Sequence, residues 1–395
     1  MSRTVVITHA YRTPIGKYLG SLKNESAPDL GTAVVSGLLA KAGIDPSLVG
    51  EVFYGHGRQA ASGPNPARQV SIRSGITEAA TATTINQACA SGLRSIVLAA
   101  QSIQLGENDV VIAGGVESMS NMPFMITNMR EGMRLGHAKL VDAMYQDGFE
   151  CPLAGQLMGA TAETLAKQYS ISREEQDQFA LSSQHKAEAA TAAGRFADEM
   201  LPYELKDRKG NVTNFAEDEH RRDGTKIESL AKLRPVFDAE NGSVTAGNSS
   251  GITDGAAALL VMSEDKAREL GLPVLAKFDN WAQAGVDPKI MGIGPVPSVR
   301  KLEARNGRKV SEYDLIELNE AFAAQVLACH RDLDFDMEKL NVNGGAIALG
   351  HPIGCTGARI VVTMLHEMQR RDAKSALATL CVSGGQGVAV SFTRD

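Results

Sequence analysis

The chain has 395 residues, of which 43% are hydrophobic and 22% are charged, and its formal net charge is −6 at pH 7. This length most naturally holds two or three domains, and the composition excludes a disordered or collagen-like chain. Because 46 acidic residues outnumber 40 basic ones, no general attraction to nucleic acid or to an anionic membrane is expected.

The cysteines and the hydropathy pattern indicate a compartment. The five cysteines are odd in number and never spaced as CxxC, so neither a disulfide scaffold nor a metal site is expected. The start of the chain lacks a signal-peptide pattern, and no window approaches the roughly 18 to 20 apolar residues that span a bilayer. A reducing cytoplasm is therefore the expected location.

Strand-like and helix-like patterns alternate along the first 115 residues, which predicts an α/β domain. Because Cys89 is predicted to lie where a strand turns into a helix, the helix macrodipole is expected to favour its thiolate and lower its pKa. The predicted strands lie at 5–10, 51–55, 83–86 and 109–115, and the predicted helices at 28–42 and 89–106.

From about residue 118 to residue 248 the regular strand-like patterns are absent, and the segment is helical and charged. This change predicts an insertion. Ser172 and Glu175 have the spacing of a capping box and predict a long helix that runs to about residue 193. Methionines cluster between residues 119 and 158. They are consistent with ordinary packing or with a pliable surface against an acyl chain or a partner subunit.

The second half of the chain repeats the scheme of the first. The segment GGAIALGHPIGCTGAR (344–359) leads into a helix and then into a strand at 376–392. Aligning residues 89–94 with residues 354–359 superimposes Gly92 on Gly357 and keeps the following arginines in step. This predicts two similar halves that arose by internal duplication.

Three segments rich in small residues each place a reactive side chain at an element boundary. These side chains are Cys89, His351 and Cys381. The glycines around them allow close backbone approach and expose N–H groups, as an oxyanion site requires. The competing interpretation of each cysteine is a small buried hydrophobic residue. Neither a GK[ST] loop nor a strand-GxGxxG-helix pattern is present, so a nucleotide-phosphate loop is not expected.

Motifs along the whole chain resemble those of the thiolase family. Four carry the active-site resemblance, and they occur in this order: NQACASGLRS (86–95), NEAFAAQ (319–325), NVNGGAIALGHPIGCTGAR (341–359) and CVSGGQG (381–387). Four more extend it through the rest of the chain: RTPIGKYLGSL (12–22), AGGVESMS (113–120), KLRPVF (232–237) and TAGNSSGITDGAAA (245–258).

The resemblance implies a five-layer α/β/α/β/α fold with two duplicated halves and an inserted loop domain. It implies an N-terminal domain at 1–270, with the loop domain at 119–248 inside it, and a C-terminal domain at 271–395. It also implies a homo-oligomer, in which N-terminal halves pair and the insertion joins dimers into a tetramer.

The activity that the resemblance implies is acetyl-CoA C-acetyltransferase, an acyltransferase reaction with no tightly bound cofactor and with coenzyme A thioesters as substrates. Cys89 is implied as the nucleophile, His351 as its activator and Cys381 as the general acid and base. Asn319 is implied to hold a water that, with His351 Nε2, binds the enolate oxygen. The backbone N–H groups of Cys89 and Ser383 are implied to bind the second oxyanion, although the family usually has glycine at Ser383.

The same resemblance implies which residues contact acyl-CoA. The chain departs from the family pattern at Leu157. Short-chain biosynthetic thiolases often have histidine at this position. A degradative 3-ketoacyl-CoA thiolase acting on longer chains is therefore kept as the alternative. The implied coenzyme A contacts are Arg222, Ser229, Ala246, Ser250 and Phe322, and Met158 and Met291 are implied near the acyl end.

Two other classes of protein remain as competing interpretations. A decarboxylating or aldol-type condensing enzyme shares the nucleophilic cysteine, but such enzymes lack residues equivalent to Cys381 and Asn319. A non-catalytic acyl-CoA carrier predicts the loss of at least one active-site residue, and none is lost here.

Overall fold

A computed structural model describes residues 3–395. The strands are β1 (Val5–Arg12), β2 (Gly16–Lys17), β3 (Glu51–Gly55), β4 (Thr81–Ile85), β5 (Val110–Ser118), β6 (Phe124–Ile126), β7 (Leu140–Asp142), β8 (Glu150–Cys151), β9 (Gln156–Leu157), β10 (Tyr203–Lys206), β11 (Val212–Phe215), β12 (Thr253–Ser263), β13 (Ala276–Gly285), β14 (Leu315–Leu318), β15 (Ser375–Val382) and β16 (Gln386–Thr393). The helices are α1 (Ala27–Ala42), α2 (Pro66–Arg73), α3 (Ser91–Leu105), α4 (Met158–Gln168), α5 (Arg173–Ala192), α6 (Ile227–Ala231), α7 (Glu264–Glu269), α8 (Pro295–Asn306), α9 (Ala323–Leu333), α10 (Ala346–Leu349) and α11 (Ile353–Arg371).

The central sheet is built from two similar halves. The N-terminal half has the strand order β1-β12-β5-β3-β4, and the C-terminal half has the order β13-β16-β15-β14. In each half the first three strands are antiparallel and the next is parallel to its neighbour. The halves join at β1 and β13, where Val6 pairs with Lys277 and Ile7 with Ala276. The predicted duplication is confirmed by this repeated order and direction.

Helices α3 and α11 lie between the two halves of the sheet and pack against each other. Helix α3 contacts β3, β5, β12 and β16, and α11 contacts β5, β12, β14 and β15. On the outer faces, α1 covers β12 and β5, and α8 covers β13 and β16. Strands β12 and β15 are buried along their whole length, as expected for strands covered on both faces. The five predicted layers are therefore present.

Two glycines allow the central helices to approach each other closely. A Cβ atom on Gly92 would lie 2.7 Å from the amide nitrogen of Ala358, and one on Gly357 would lie 2.3 Å from that of Leu93. Real Cβ atoms do not approach backbone atoms this closely, so larger residues would force the helices apart. These are the glycines that the sequence alignment of the two halves superimposes.

The inserted segment differs from its prediction in one respect. Helix α5 begins with the predicted capping box, because the Ser172 hydroxyl accepts from the Glu175 N–H and the Glu175 carboxylate accepts from the Ser172 N–H. However, the insertion also holds three short hairpins, β6–β7, β8–β9 and β10–β11, where no strands were predicted. Strands of two to four residues are too short to show a clear alternating pattern.

The structure also corrects the boundaries of some predicted elements. The strand predicted at 376–392 is two antiparallel strands, β15 and β16, joined by a turn. Gly384 and Gly385 take the left-handed conformation in this turn, with φ of 86° each. The helix predicted from Cys89 begins instead at Ser91, after a single turn of 3₁₀ helix over Ala88–Ala90.

None of the helices within residues 3–395 is long and apolar enough to cross a membrane.

Candidate active site

Three separate parts of the chain bring Cys89, His351 and Cys381 to one cavity. Cys89 lies in the 3₁₀ turn between β4 and α3, His351 lies between α10 and α11, and Cys381 lies near the end of β15. All three side chains line a cavity of about 250 Å³. Because β4 and β15 end at this cavity, the site is formed at the carboxyl ends of strands, a common place for sites in α/β folds.

The structure places only some of the expected acyl-CoA contacts at this cavity. Ser250, Phe322, Met158 and Met291 line it, and so does Leu157. The three remaining expected contacts lie outside its lining and are exposed; they are Arg222, Ser229 and Ala246.

The surroundings of Cys89 correct the prediction about its pKa. Desolvation raises the pKa of the Cys89 thiol, whereas the charge of Arg58 and the backbone N–H groups of Ser383 and Cys89 lower it, and the net change is upward. The effect of the helix start is therefore outweighed by burial, and the predicted lowering of the pKa is wrong. The preceding residue, Ala88, has φ of 45°, a conformation unusual for a residue with a side chain.

Ser383 lies in the turn after β15 and does not adopt the left-handed backbone conformation. Its φ is not positive, unlike that of Gly384 and Gly385 beside it. Having serine instead of glycine at position 383 therefore does not displace the backbone N–H. This N–H is directed at the thiol of Cys89. Serine is compatible with this local geometry.

His351 is held as a neutral imidazole. It is 7% exposed, and its Nε2 has no hydrogen-bond partner within residues 3–395. Burial lowers the pKa of His351 to about 3, and the nearby charges of Arg359 and Arg58 contribute in the same direction. A neutral imidazole with a free ring nitrogen can accept a proton at neutral pH.

The buried carboxylate of Glu117 anchors the loop that carries His351. Desolvation raises the pKa of Glu117, but its charged and hydrogen-bonded neighbours, His56 first among them, lower it overall. Because one of its partners is the start of α11, Glu117 ties that helix to the end of β3. Its two oxygens accept four hydrogen bonds, from His56 Nε2 (3.0 Å) and from the backbone N–H groups of Gly57 (3.0 Å), Arg58 (3.1 Å) and Gly354 (2.8 Å).

Cys381 and Asn319 are both deeply buried. Desolvation raises the pKa of the Cys381 thiol well above its ordinary value, and the neighbouring Cys89 raises it further. Cys381 is therefore a protonated thiol that can donate a proton. Asn319 follows β14 directly and is 1% exposed, and neither of its side-chain amide atoms has a partner in the part of the chain that the structure describes. It does not itself line the cavity, whereas Ala321 and Phe322 after it do.

Comparison with known proteins establishes the family. Models of the N-terminal and C-terminal thiolase domains match residues 5–265 and 272–394. The chain belongs to the thiolase family. The resemblance inferred from its motifs is thus confirmed, and this thiolase is an acyltransferase.

Relatives of this thiolase match it over nearly its whole length. The acetyl-CoA acetyltransferase of Pseudomonas aeruginosa is 53% identical over 99% of each chain, and that of Cupriavidus necator is 50% identical over 99% of each. The crystal structure of the Bacillus anthracis acetyl-CoA acetyltransferase has a TM-score of 0.97 and 46% identity, covering 99% of both chains. Human mitochondrial 3-ketoacyl-CoA thiolase in complex with CoA has a TM-score of 0.95 and 42% identity, covering 100% of this chain and 98% of the other.

Some residues at the site of this thiolase were missed by sequence reasoning. Arg58 lines the cavity, Glu117 anchors the His351 loop, and Thr356 contacts the His351 ring. Glu117 lies within a quoted motif, but nothing in the motif distinguishes an anchoring carboxylate from an exposed one. The signal available for Arg58 was a basic residue three positions after the end of an apolar strand.

Proposed function

We propose that this thiolase catalyses the reversible Claisen condensation of two acetyl-CoA molecules to acetoacetyl-CoA and coenzyme A. The observation that carries the proposal is that Cys89, His351 and Cys381 line one cavity. The names of the relatives from Pseudomonas aeruginosa and Cupriavidus necator support this substrate assignment. They do not favour the alternative of a degradative enzyme for longer chains.

In the cleavage direction, Cys89 Sγ attacks the 3-keto carbon of acetoacetyl-CoA while His351 Nε2 accepts the thiol proton. The bond between C2 and C3 then breaks, an acetyl group stays on Cys89 as a thioester, and the acetyl-CoA carbanion takes a proton from Cys381. Cys381 next accepts the proton of an incoming coenzyme A thiol, which attacks the thioester and releases a second acetyl-CoA. Cys89 leaves as a thiolate and takes its proton back from His351 Nε2. The upward pKa shift of Cys381 supports its role as the acid.

Two oxyanion sites are proposed for this reaction. The enolate oxygen is bound by His351 Nε2, once protonated, and by a water that Asn319 holds; the unpartnered amide of Asn319 supports this role. The tetrahedral oxyanion on Cys89 is bound by the backbone N–H groups of Cys89 and Ser383, both of which face the thiol. Loss of one such donor typically costs about 3 to 4 kcal/mol of transition-state stabilisation.

Thiolysis rates with two substrates test this function. The initial rate of CoA-dependent thiolysis is measured with acetoacetyl-CoA and with a 3-ketoacyl-CoA of about ten carbons, and the Cys89→Ala variant serves as the blank. Preference for acetoacetyl-CoA is expected. Preference for the long chain would instead support the degradative alternative, and no Cys89-dependent rate on either would contradict the proposal.

Coenzyme A is proposed to enter past Ser250 and Phe322, which line the cavity. The exposed Arg222 and Ser229, together with Ala246, are proposed to contact the parts of coenzyme A that stay near the surface. Met158 and Met291 are proposed to contact the acyl group. An Arg222→Gln variant is expected to raise the KM for coenzyme A more than it changes kcat, because Arg222 lies outside the catalytic cavity. No tightly bound cofactor is proposed.

The assembly is proposed to be a homotetramer built as a dimer of dimers. Strand β4 lies at one edge of the sheet, where its free backbone groups can pair with a second chain. The hairpin β6–β7 exposes apolar side chains, with Phe124 62% and Leu140 63% exposed. Exposed apolar patches of this kind are typical of contact surfaces. Light scattering tests the proposal: a Leu140→Asp variant is expected to convert tetramers into dimers.

The domain division and the cellular location are also proposals. The matches to the two thiolase domain models support a boundary at residue 270, with domains at 1–270 and 271–395 and the loop domain at 119–248. All five cysteines are free thiols, which supports a location in a reducing cytoplasm.

A further inference from the structure

Arg58 brings a positively charged group into the catalytic cavity. The residue lies just beyond β3, is 6% exposed, and lines the same cavity as Cys89 and His351. Much of the cavity lining is apolar and includes Phe149, Leu157 and Met158. The guanidinium of Arg58 is therefore largely shielded from solvent. Arg58 is also the one lysine or arginine side chain among the described residues that line this cavity.

This guanidinium lacks the carboxylate partners that the buried guanidinium of Arg12 has. Arg12 forms ion pairs with Glu199 at 2.6 Å and with Asp218 at 2.7 Å. By contrast, Nε of Arg58 has no hydrogen-bond partner, and Nη1 reaches only the carbonyl oxygen of Gly57 at 3.5 Å. That distance is at the outer limit for a hydrogen bond. Within residues 3–395, Arg58 forms no ion pair with a carboxylate.

Glu117, a buried carboxylate in β5, does not supply the missing partner. Glu117 already accepts four hydrogen bonds, which fill the lone-pair positions of its two carboxylate oxygens. One of these bonds comes from the backbone N–H of Arg58, not from its side chain. The positive charge of Arg58 therefore remains without a bound acceptor on its cavity side.

The local backbone is shaped to hold Arg58 in place. A Cβ atom on Gly148 would lie 2.7 Å from Nε of Arg58, so the guanidinium lies directly against the backbone of this glycine. A larger residue at position 148 would displace the guanidinium. The side chain is thus enclosed between the Gly57 carbonyl and Gly148, and its remaining donors are available to a molecule in the cavity.

We propose that Arg58 binds a carboxylate at the end of the acyl group, so that this thiolase also cleaves 3-oxoacyl-CoA substrates that carry a terminal carboxylate. A buried guanidinium without an acceptor is unfavourable, and its planar donors match a carboxylate in two parallel hydrogen bonds. The phosphates of coenzyme A are separated from the thioester by the pantetheine arm, so the acyl end is the part of the substrate that brings an anion near Cys89.

The proposal rests on the proposed function, because the acyl group must be attached to Cys89. The reaction needs no further reactant. The C2–C3 bond breaks, acetyl-CoA leaves with a proton from Cys381, and the acyl group with its carboxylate stays on Cys89 until coenzyme A removes it. With a six-carbon substrate, 3-oxohexanedioyl-CoA, the enzyme-bound group is succinyl.

The experiment compares kcat/KM for 3-oxohexanedioyl-CoA with that for the neutral 3-oxohexanoyl-CoA. Wild-type enzyme is expected to favour the carboxylate substrate at least ~10-fold, and Arg58→Met is expected to reduce that ratio by ~10 to 100-fold, the range typical of charge-assisted hydrogen bonds. Arg58→Lys is the matched variant that keeps the charge, and it is expected to retain part of the preference.

Two outcomes would overturn the proposal. In the first, the wild-type enzyme shows no preference for the carboxylate substrate. In the second, Arg58→Met lowers kcat/KM for both substrates by the same factor and shifts the pH profile of Cys89 alkylation by iodoacetamide to higher pH. This result would mean that Arg58 stabilises the Cys89 thiolate and does not bind a substrate carboxylate. Turnover of acetoacetyl-CoA by the wild-type enzyme tests the proposed function separately.

A measurement on the wild-type enzyme alone covers the case in which Arg58→Met does not fold. The enzyme is incubated with succinyl-CoA or with butanoyl-CoA, and the acylated fraction of Cys89 is followed by intact mass. Faster acylation by succinyl-CoA is expected. Equal or slower acylation by succinyl-CoA would contradict the proposal.

Discussion

The Nδ1 atom of His351 lies 2.6 Å from the hydroxyl oxygen of Thr356. That hydroxyl also lies 3.0 Å from the carbonyl oxygen of Pro352, to which it donates its proton. Because a hydroxyl has only one proton, its oxygen must accept from Nδ1–H of His351. The network therefore assigns the proton of the neutral ring to Nδ1 and leaves the lone pair on Nε2, the atom proposed to accept the proton of Cys89.

Replacing Thr356 with valine is expected to lower kcat for acetoacetyl-CoA thiolysis by ~10 to 100-fold, since the ring loses the contact that selects its tautomer. The KM is expected to change little, because Thr356 does not line the cavity. Steady-state kinetics measure both constants. Thr356→Ser keeps the hydroxyl and is expected to recover most of the rate; if it is as slow as Thr356→Val, the hydrogen bond is not the cause.

Replacing Cys381 with serine is expected to slow the full thiolysis reaction by ~10² to 10⁴-fold, the usual contribution of general acid and base catalysis. Cys89 should still be acylated, because its own attack does not need the Cys381 thiol. Turnover is followed by the consumption of acetoacetyl-CoA, and acylation by intact mass. Unchanged turnover in Cys381→Ser would rule out the proposed role.

The stability of the fold should depend on pH through Glu317. Desolvation raises the pKa of Glu317 to about 8, although Arg359 lies 3.9 Å away and opposes the shift. Between the ordinary pKa of a glutamate, about 4.3, and 8 the folded state thus binds more protons than the unfolded state. The contribution of Glu317 to the free energy of unfolding is complete below that window and decreases as the pH rises through it.

A Glu317→Gln variant is expected to remove this dependence, because glutamine resembles the protonated acid. The melting temperatures of variant and wild type should agree near pH 5, and the variant should be the more stable of the two at pH 8 to 9. Differential scanning calorimetry over this range measures the difference. Glu228→Gln, at an exposed position, is the control and should show no such trend. A variant that loses stability at pH 9 would contradict the assigned pKa.

Alanine at Gly357 is expected to destabilise the protein by at least ~1 to 3 kcal/mol, as overpacking of a close contact does. The added Cβ would lie 2.3 Å from the amide nitrogen of Leu93 and would push α11 away from α3. Urea denaturation measures the change. Gly285→Ala is the control, because its Cβ would lie 3.8 Å from the Gly385 carbonyl oxygen, an ordinary contact. Equal midpoints for the two variants would show that the helices can move apart freely.

Local patterns predicted part of the fold, namely β1, β3, β4, β5, α1, α3, α5 and α11, whereas no element was predicted at β12, β13, β14, α4, α8 or α9. Strand β3 and helix α1 were predicted within one residue because an apolar period of two or of about four is a property of the segment itself. The capping box of α5 is equally local. The hairpins β6–β7, β8–β9 and β10–β11 were missed because strands of two to four residues are too short to show an alternating pattern.

The candidates Cys89, His351 and Cys381 were found through short motifs that resemble those of the thiolase family, and the glycines that let α3 and α11 touch were superimposed by aligning two short segments. Electrostatic properties could not be obtained in this way. The upward pKa shift of Cys89, the tautomer of His351 and the unpaired charge of Arg58 depend on burial and on groups brought together from distant parts of the sequence. Desolvation acts on a group only once those distant parts enclose it, so these properties are determined by the packed tertiary structure.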